Sequence, residues 1–285
     1  MSEVTSGTVM KAEGFLSSNG ARLYYRRVTP GSGASAAKRV LFFHGYGEHI
    51  GRYDELMTAC AERGLDCMGF DFRGHGQSSG RRAYITRIDD YLQDARAVLA
   101  AFDIGTNGGS FELFGHSMGG ALAVAFALQE STRVRALALS SPYLGRALKV
   151  NPLKIGLGKS LGILWPTMSL PAGITGDMLT HDKERAQAYE KDPLRVAGVT
   201  ARWFLEFDAL QQQLQERAHE LTMPLYLFHG DADPVASFTV AENFFARTSA
   251  RDKTFVRYAG LMHETLNEIE RPQVIAGVTE WLSQH

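Results

Sequence analysis

Residues 111–120 have the sequence Phe-Glu-Leu-Phe-Gly-His-Ser-Met-Gly-Gly and carry the strongest structural signal in the chain. A short apolar run precedes Ser117, and an apolar segment typical of a helix begins at Ala121. The pattern Gly-x-Ser-x-Gly is typical of a nucleophile elbow, a sharp turn between a strand and a helix. Gly115 and Gly119 would remove side chains that collide in this strained turn, and the helix N-terminus would direct N–H groups at an anion. The alternative is a glycine-rich turn with a solvated serine, and the rest of the chain must decide between them.

The composition is that of a large globular protein. The chain has 285 residues, of which 45% are hydrophobic and 21% are charged, and its formal net charge is -1. Because a nucleic-acid-binding protein carries a basic surface, we expect no nucleic-acid partner. Cys60 and Cys67 do not suggest a disulfide framework, and we interpret them as small apolar packing residues in a reducing compartment.

Two features bear on location. The N-terminal residues show no basic region followed by an apolar stretch, so no signal peptide is predicted. The longest uncharged stretch covers residues 160–176, and Pro166 and Pro171 make it a poor membrane span. We therefore expect a cytoplasmic protein.

Predicted strands and helices alternate along most of the chain. Thr86 with Asp89 resembles a capping box at the start of one of these helices. The alternation predicts an α/β fold with a mostly parallel central sheet and helices on both faces. The predicted strands cover residues 8–17, 22–28, 40–43, 67–70, 111–114, 134–140, 225–228 and 254–258, and the predicted helices cover 53–63, 88–102, 238–247 and 272–282 besides the one after Ser117.

Residues 143–222 interrupt this alternation. They lie between two predicted strands and are too many for a simple crossover. We interpret them as a helical cap inserted over the carboxyl edge of the sheet, where open α/β folds bind ligands. The core domain would then consist of residues 1–142 and 223–285.

A nucleophilic serine needs a general base, and the base needs an orienting acid. In this type of fold the order along the chain is serine, acid, histidine, each after a strand. Asp233 follows the predicted strand 225–228, and His263 follows the predicted strand 254–258. Asp231 competes for the role of acid, but it directly follows a glycine and is better placed to fix the turn through backbone N–H groups. We therefore predict the catalytic residues Ser117, Asp233 and His263.

Other residues near these turns receive structural or supporting roles. We predict that the His116 side chain points away from the turn and packs, and that His44 and His229 are structural. An oxyanion would need two backbone donors, one of them the N–H of Met118 directly after the serine. The second is expected in the loop after the strand at residues 40–43, where we choose the N–H of Tyr46.

Together these motifs resemble the monoacylglycerol lipase and lysophospholipase family of α/β-hydrolases, over nearly the whole chain. The resemblance extends from the serine turn and the turns at Asp233 and His263 to three further stretches. These are residues 44–53 (His-Gly-Tyr-Gly-Glu-His-Ile-Gly-Arg-Tyr), 71–78 (Asp-Phe-Arg-Gly-His-Gly-Gln-Ser) and 189–194 (Tyr-Glu-Lys-Asp-Pro-Leu).

The resemblance implies the α/β-hydrolase fold, the same catalytic triad and an oxyanion hole from Tyr46 and Met118. It also implies that Glu48, Arg52 and Tyr189 lie near the polar head of the substrate. A helix-start ion pair between Glu48 and Arg52, and simple packing of Tyr189, are the alternatives. Some family members carry a second histidine three residues after the catalytic one, where this chain has Leu266.

The cap has a sequence pattern of its own. Apolar residues are crowded between Val150 and Trp165, with Lys149, Lys154 and Lys159 among them. One interpretation is core packing. The other is a lid that lines an acyl-chain tunnel and makes transient contact with a membrane surface, since lysine beside apolar bulk suits an anionic interface.

The resulting hypothesis is a serine hydrolase that cleaves a monoacylglycerol to fatty acid and glycerol through an acyl-enzyme. Such chemistry needs no cofactor and no metal, and its partner is a small lipid ester. A lysophospholipase, a general carboxylesterase or a proline-type peptidase could use the same residues. The hypothesis from another class is a non-catalytic scaffold on the same fold, against which an intact triad argues.

Overall fold

A computed structural model describes residues 2–6, 9–31, 38–105, 109–147 and 152–285. The strands are β1 (Ser2–Ser6), β2 (Val9–Ser18), β3 (Ala21–Pro30), β4 (Lys38–Phe43), β5 (Leu65–Phe70), β6 (Phe111–His116), β7 (Val134–Ser140), β8 (Ser169–Pro171), β9 (Gly198–Thr200), β10 (Leu225–Gly230) and β11 (Lys253–Tyr258). The α-helices are α1 (Asp54–Glu62), α2 (Asp89–Ala101), α3 (Met118–Gln129), α4 (Pro152–Leu164), α5 (Lys183–Lys191), α6 (Ala201–Glu216), α7 (Phe238–Arg247) and α8 (Arg271–Gln284).

Nine of these strands form one sheet in the order β1-β2-β3-β5-β4-β6-β7-β10-β11. Pairing is antiparallel from β1 to β5 and parallel from β5 to β11. Strand order reverses at β4, which lies between β5 and β6, so the loops after β4 and β6 leave the sheet side by side. A crevice at such a reversal is the usual ligand site of an open parallel sheet.

Two hydrophobic cores cover the two faces of the sheet. Alternate residues of β4 point to opposite cores, with Leu41 and Phe43 in one and Val40 and Phe42 in the other. Helices α2, α3, α6 and α7 pack in the first core, and α1 and α8 pack in the second. The predicted α/β-hydrolase architecture, a mostly parallel sheet with helices on both faces, is confirmed.

One local prediction is wrong. No capping box forms between Thr86 and Asp89, because Asp90 makes the capping contacts instead. Its Oδ2 accepts hydrogen bonds from the backbone N–H groups of Thr86 at 2.7 Å and Arg87 at 3.1 Å. Helix α2 begins at Asp89, one residue after the predicted start at residue 88.

The polypeptide between β7 and β10 contains α4, α5 and α6 and the two-stranded β8–β9 pair. Helix α4 packs on α6, where a Cβ at Gly162 would lie only 2.8 Å from the Ala201 carbonyl oxygen. Helix α6 also buries Trp203 and Phe207 in the first core, together with α2 and α3. Val150 and Lys149, which the sequence places at the start of the apolar crowding, lie outside the described residues. Among the helices in the described ranges, none combines the length and the hydrophobicity that a membrane-spanning segment requires.

Candidate active site

Ser117 lies at the turn between β6 and α3, at the carboxyl edge of the sheet. Its φ of 51° and ψ of -115° are in a region that costs a non-glycine residue of order 1–3 kcal/mol. A Cβ at Gly115 would lie 2.4 Å from the Gly119 carbonyl oxygen, and a Cβ at Gly119 would lie 2.3 Å from the Phe43 carbonyl oxygen. Both glycines are therefore required by the close approach of backbone segments around the serine.

The structure brings Ser117, His263 and Asp233 into one line of hydrogen bonds. His263 Nε2 lies 2.9 Å from Ser117 Oγ, and His263 Nδ1 lies 2.7 Å from Asp233 Oδ2. All three residues are buried. A serine hydroxyl, an imidazole and a carboxylate in this order form the geometry of a nucleophile with its general base and orienting acid.

Electrostatics favour a proton on His263. Burial alone would lower the pKa of His263, but the charge of Asp233 and the hydrogen bond to it outweigh burial and raise the pKa above its ordinary value. For Asp233, burial alone would raise the pKa, but the His263 charge and hydrogen bonds from His229 and His263 hold it well below its usual range. The carboxylate thus stays charged and stabilises an imidazolium.

Asp231, the other candidate for the catalytic acid, forms hydrogen bonds that connect two turns. Its Oδ1 accepts a hydrogen bond from the Gly260 N–H at 2.7 Å, and its Oδ2 accepts one from Arg257 Nε at 2.7 Å. It therefore joins the turn after β10 to the turn after β11, which carries His263.

His229, which the sequence did not link to the site, contacts the candidate acid. His229 Nε2 lies 2.8 Å from Asp233 Oδ2, the same oxygen that His263 Nδ1 contacts. Asp233 Oδ1 accepts hydrogen bonds from the backbone N–H groups of Val235 at 2.7 Å and Ala236 at 3.0 Å. His229 and Asp233 are four residues apart on opposite sides of a turn, a spacing that gave no signal of this contact.

His116 packs beside the candidate base His263. Its ring centroid is 5.0 Å from that of His263, and its Nδ1 lies 3.0 Å from Ser140 Oγ. It is buried and packs, as predicted, and one of the rings that it packs on is that of the candidate base. His44 is structural, because its Nε2 accepts the Phe72 N–H at 3.0 Å.

The loop after β4 carries Tyr46 to the edge of the site beside Gly45. Glu48 Oε1 accepts the Gly45 N–H at 2.6 Å, which holds this loop in a tight turn. Met118 is the first residue of α3, and the first N–H groups of a helix have no acceptor within it. Of the two predicted oxyanion residues, Tyr46 therefore lines the same pocket as Ser117, and Met118 follows Ser117 directly in the chain.

The same loop is joined to the polypeptide between β7 and β10. Tyr46 Oη donates to the Gly198 carbonyl oxygen at 2.5 Å, and the Val196 N–H donates to the Gly47 carbonyl oxygen at 2.9 Å. A third contact joins His49 Nε2 to Asp192 Oδ2 at 2.9 Å. We name these three contacts the loop tether.

Glu48 and Arg52 form the ion pair that the sequence analysis left as an alternative to substrate contact. Arg52 Nη1 lies 2.7 Å from Glu48 Oε2, and the two Arg52 terminal nitrogens lie 2.6 and 2.7 Å from the two carboxylate oxygens of Glu264. Glu264 had no predicted role. Tyr189 packs its ring on Arg52, whose guanidinium carbon lies 5.2 Å from the ring centroid.

A small pocket opens onto Ser117 and His263. Ile174, Leu179 and Tyr189, from the polypeptide between β7 and β10, line this pocket. Ile163 lies on α4 and is 69% exposed, so it does not line an acyl tunnel as the sequence analysis suggests for this helix. In the described part of the chain, no group of three or more His, Cys, Asp or Glu residues could hold a metal ion.

The fold and the Ser117–His263–Asp233 geometry define a protein of the α/β-hydrolase class. A family model described as "Serine aminopeptidase, S33" (Hydrolase_4) matches residues 34–270, and the chain belongs to this family. Its resemblance to the monoacylglycerol lipase branch, inferred above from motifs, is confirmed by the comparisons that follow, and the chain is a serine hydrolase.

Three similar proteins are informative. A "Monoacylglycerol lipase" of Mycolicibacterium smegmatis is 31% identical, over 95% of this chain and 96% of that protein. "Phospholipase YtpA" of Bacillus subtilis is 27% identical, over 86% of this chain and 95% of that protein. The crystal structure of Paleococcus ferrophilus monoacylglycerol lipase superposes with a TM-score of 0.84 and 25% identity, covering 92% of this chain and 99% of that one.

Proposed function

We propose that the protein hydrolyses the acyl ester of monoacylglycerols, releasing fatty acid and glycerol. The observation that carries the proposal is the unbroken line of hydrogen bonds from Ser117 Oγ through His263 to Asp233. Similarity to the M. smegmatis monoacylglycerol lipase over nearly the full length of both chains supports the choice of substrate.

In the proposed mechanism, Ser117 Oγ attacks the ester carbonyl while His263 Nε2 accepts the hydroxyl proton. Asp233 holds the imidazole through Nδ1 and stabilises the imidazolium that forms. His263 then gives the proton to the departing glycerol, which leaves an acyl group on Ser117. Water cleaves this acyl-enzyme with His263 again as base, and Ser117 Oγ recovers its proton.

The backbone N–H groups of Tyr46 and Met118 would stabilise the negative charge on the carbonyl oxygen. Each such donor contributes about 10²–10³ to kcat in enzymes of this kind. Glu48 holds the loop of Tyr46 in place through the Gly45 N–H. The buried ion pair with Arg52 supports a positioning role for Glu48. We also propose that Glu48, Arg52 and Tyr189 lie near the polar head of the substrate.

We further propose that residues 143–222 form a cap over this site, with α6 as the helix that joins it to the core. The contacts of Ile174, Leu179 and Tyr189 with the pocket support a role of the cap in substrate binding. The exposed apolar side chains of Ile163, Leu164 (82% exposed) and Trp165 (61% exposed) would touch a lipid surface during substrate capture.

Hydrolysis of lysophospholipids is a second candidate, because the B. subtilis phospholipase is similar over most of its length. A general carboxylesterase would use the same residues. The cytoplasm, with peripheral contact at membranes, is the proposed location.

The experiment that tests the proposal combines a fluorophosphonate probe with a substrate panel. The purified chain should label at Ser117 and cleave monoacylglycerols of C8 to C18 acyl length. Ser117→Ala should abolish labelling and lower kcat by on the order of 10⁶ without loss of folding. A non-catalytic scaffold would not label, and a chain that labels but leaves every monoacylglycerol intact would disprove the substrate assignment alone.

A further inference from the structure

Three charged side chains form a buried cluster beside the pocket at Ser117, and we name Glu48, Arg52 and Glu264 the ion cluster. Their side chains are 4%, 12% and 6% exposed. Glu264 takes both terminal nitrogens of Arg52 in a bidentate pair, and Glu48 takes a second contact from Arg52 Nη1. The guanidinium edge that could grip a phosphate is therefore occupied by Glu264.

The ion cluster carries more negative than positive charge. Burial alone would raise the pKa of Glu48, but the Arg52 charge and hydrogen bonds from Tyr53 and the Gly45 N–H hold it below its ordinary value. Burial and the charge of His263 lower the pKa of the adjacent His116 to about 4, so His116 stays neutral at pH 7. With Glu264 paired as a carboxylate, two negative charges face one positive charge.

Both carboxylates line the pocket at Ser117, whereas Arg52 is not among its lining residues. Glu48 and Glu264 border the pocket at Ser117, and among its described lining residues there is no lysine or arginine. Carboxylates accept hydrogen bonds from hydroxyl groups and repel other anions. The geometry thus suits a neutral polyol and disfavours a phosphate.

We infer that the ion cluster selects esters with an uncharged alcohol group, and that Glu264 is a specificity-determining residue because it keeps Arg52 from binding an anionic head group. This inference rests on the proposed function and narrows it. It separates monoacylglycerols from lysophospholipids that carry a free phosphate on the same glycerol.

The test uses three soluble substrates with the same octanoyl chain, assayed below their critical micelle concentrations. They are 1-octanoylglycerol, 1-octanoylglycerol 3-phosphate, and the uncharged dimethyl ester of that phosphate, which matches its bulk. We expect kcat/KM for the phosphate to be at least 10-fold below that for octanoylglycerol, and the dimethyl ester to lie much closer to octanoylglycerol than to the phosphate.

Two variants assign the effect to Glu264. Glu264→Gln keeps the size of the side chain but removes the charge of the bidentate partner of Arg52 and leaves Glu48 as its one charged partner in the ion cluster, so the phosphate-to-neutral ratio of kcat/KM should rise about 10-fold. A ratio taken within one variant cancels any effect on the neighbouring His263. Glu55→Gln is the matched control, because Glu55 pairs with Arg185 and Arg271 and its loss removes the same charge nearby. Its ratio should stay at the wild-type value.

Each alternative result overturns a defined part of the inference. Equal cleavage of phosphate and neutral ester by the wild type would overturn it, and so would equal rejection of the phosphate and its dimethyl ester, which would indicate size. A Glu264→Gln ratio equal to that of the wild type would remove the role of Glu264. If octanoylglycerol itself is not cleaved while an octanoyl nitrophenyl ester is, the proposed function fails instead.

Discussion

His229 Nε2 and Asp233 Oδ2 lie 2.8 Å apart, so one carboxylate oxygen receives hydrogen bonds from two imidazoles. With two backbone N–H groups on Oδ1, Asp233 has four hydrogen bonds. His229 Nδ1 is buried without a hydrogen-bond partner. We interpret His229 as a positioning residue, which holds Asp233 charged and aimed at His263.

Replacing His229 should lower activity without lowering stability. His229→Leu removes one of the hydrogen bonds that hold the Asp233 carboxylate, so Asp233 should orient His263 less well and kcat should fall by about 10-fold. The lost hydrogen bond to a charged group typically costs about 1.5–3 kcal/mol of stability, but removal of the buried, unpaired Nδ1 offsets this cost, so the melting temperature should change little. His229→Gln keeps an N–H donor and should recover most of kcat. A loss of stability with unchanged kcat in the folded fraction would show a purely structural residue.

Asp233→Asn and Asp231→Asn form a matched pair at one turn. The first should lower kcat by about 10⁴, because an amide no longer selects the correct tautomer of His263. The second weakens the contacts with Gly260 and Arg257 and should reduce mainly the melting temperature. Steady-state kinetics and thermal melts on both variants check this, and the opposite order of kcat losses would assign the acid to Asp231.

The pH dependence of kcat/KM should report His263. As a base it must be neutral, so activity falls as the pH drops through its pKa. Because the pKa is raised from 6.5, the midpoint of the acid limb should lie above pH 6.5. In Asp233→Asn the carboxylate charge is lost while burial remains, so the midpoint should move down. A wild-type midpoint below 6.5, or no movement in the variant, would contradict this electrostatic account.

Helix α4 offers a test of surface contact. Ile163 is exposed, so Ile163→Asp should change the free energy of unfolding by no more than the roughly ±0.5 kcal/mol usual for surface substitutions. The melting temperature should therefore stay nearly unchanged. If α4 touches lipid, activity on monoacylglycerols presented in anionic vesicles should fall several-fold. Activity on a soluble butyrate ester should stay the same.

Ile269→Asp is the control for that variant, because Ile269 is similarly exposed (63%) but lies near the start of α8, outside residues 143–222. It should leave vesicle activity intact. Equal losses for both variants on vesicles would indicate a general effect of added charge rather than a contact made by α4.

Local patterns predicted the serine turn well. The strained backbone at Ser117 demands Gly115 and Gly119, so the chemistry of the turn is visible in the residues themselves. Ser117, Asp233 and His263 each follow one of three parallel strands, β6, β10 and β11. Their position after predicted strands and their order along the chain were therefore enough to predict the set before any distance was known.

Contacts between distant loops could not be predicted in the same way. Glu264 meets Arg52 across 212 residues, and nothing in either local sequence specifies the partner. The Asp233–His229 contact depends on how a turn folds back, and the place of His116 depends on its rotamer. Trp203 and Phe207 are buried against α2 and α3 by tertiary packing. The sequence of residues 143–222 does not continue the strand–helix alternation, so it did not indicate that these two side chains belong to the core.

The loop tether has a consequence for how this protein can diversify. Its acceptors at Gly47 and Gly198 are main-chain carbonyls, and the Val196 donor is a main-chain amide. Substitutions of the neighbouring side chains can therefore change the walls of the pocket while β9, which contains Gly198, stays hydrogen-bonded to the loop after β4. For an engineer, a library that randomises Ile174 and Leu179 but spares residues 192–198 should retain a competent reaction centre while it explores new substrates.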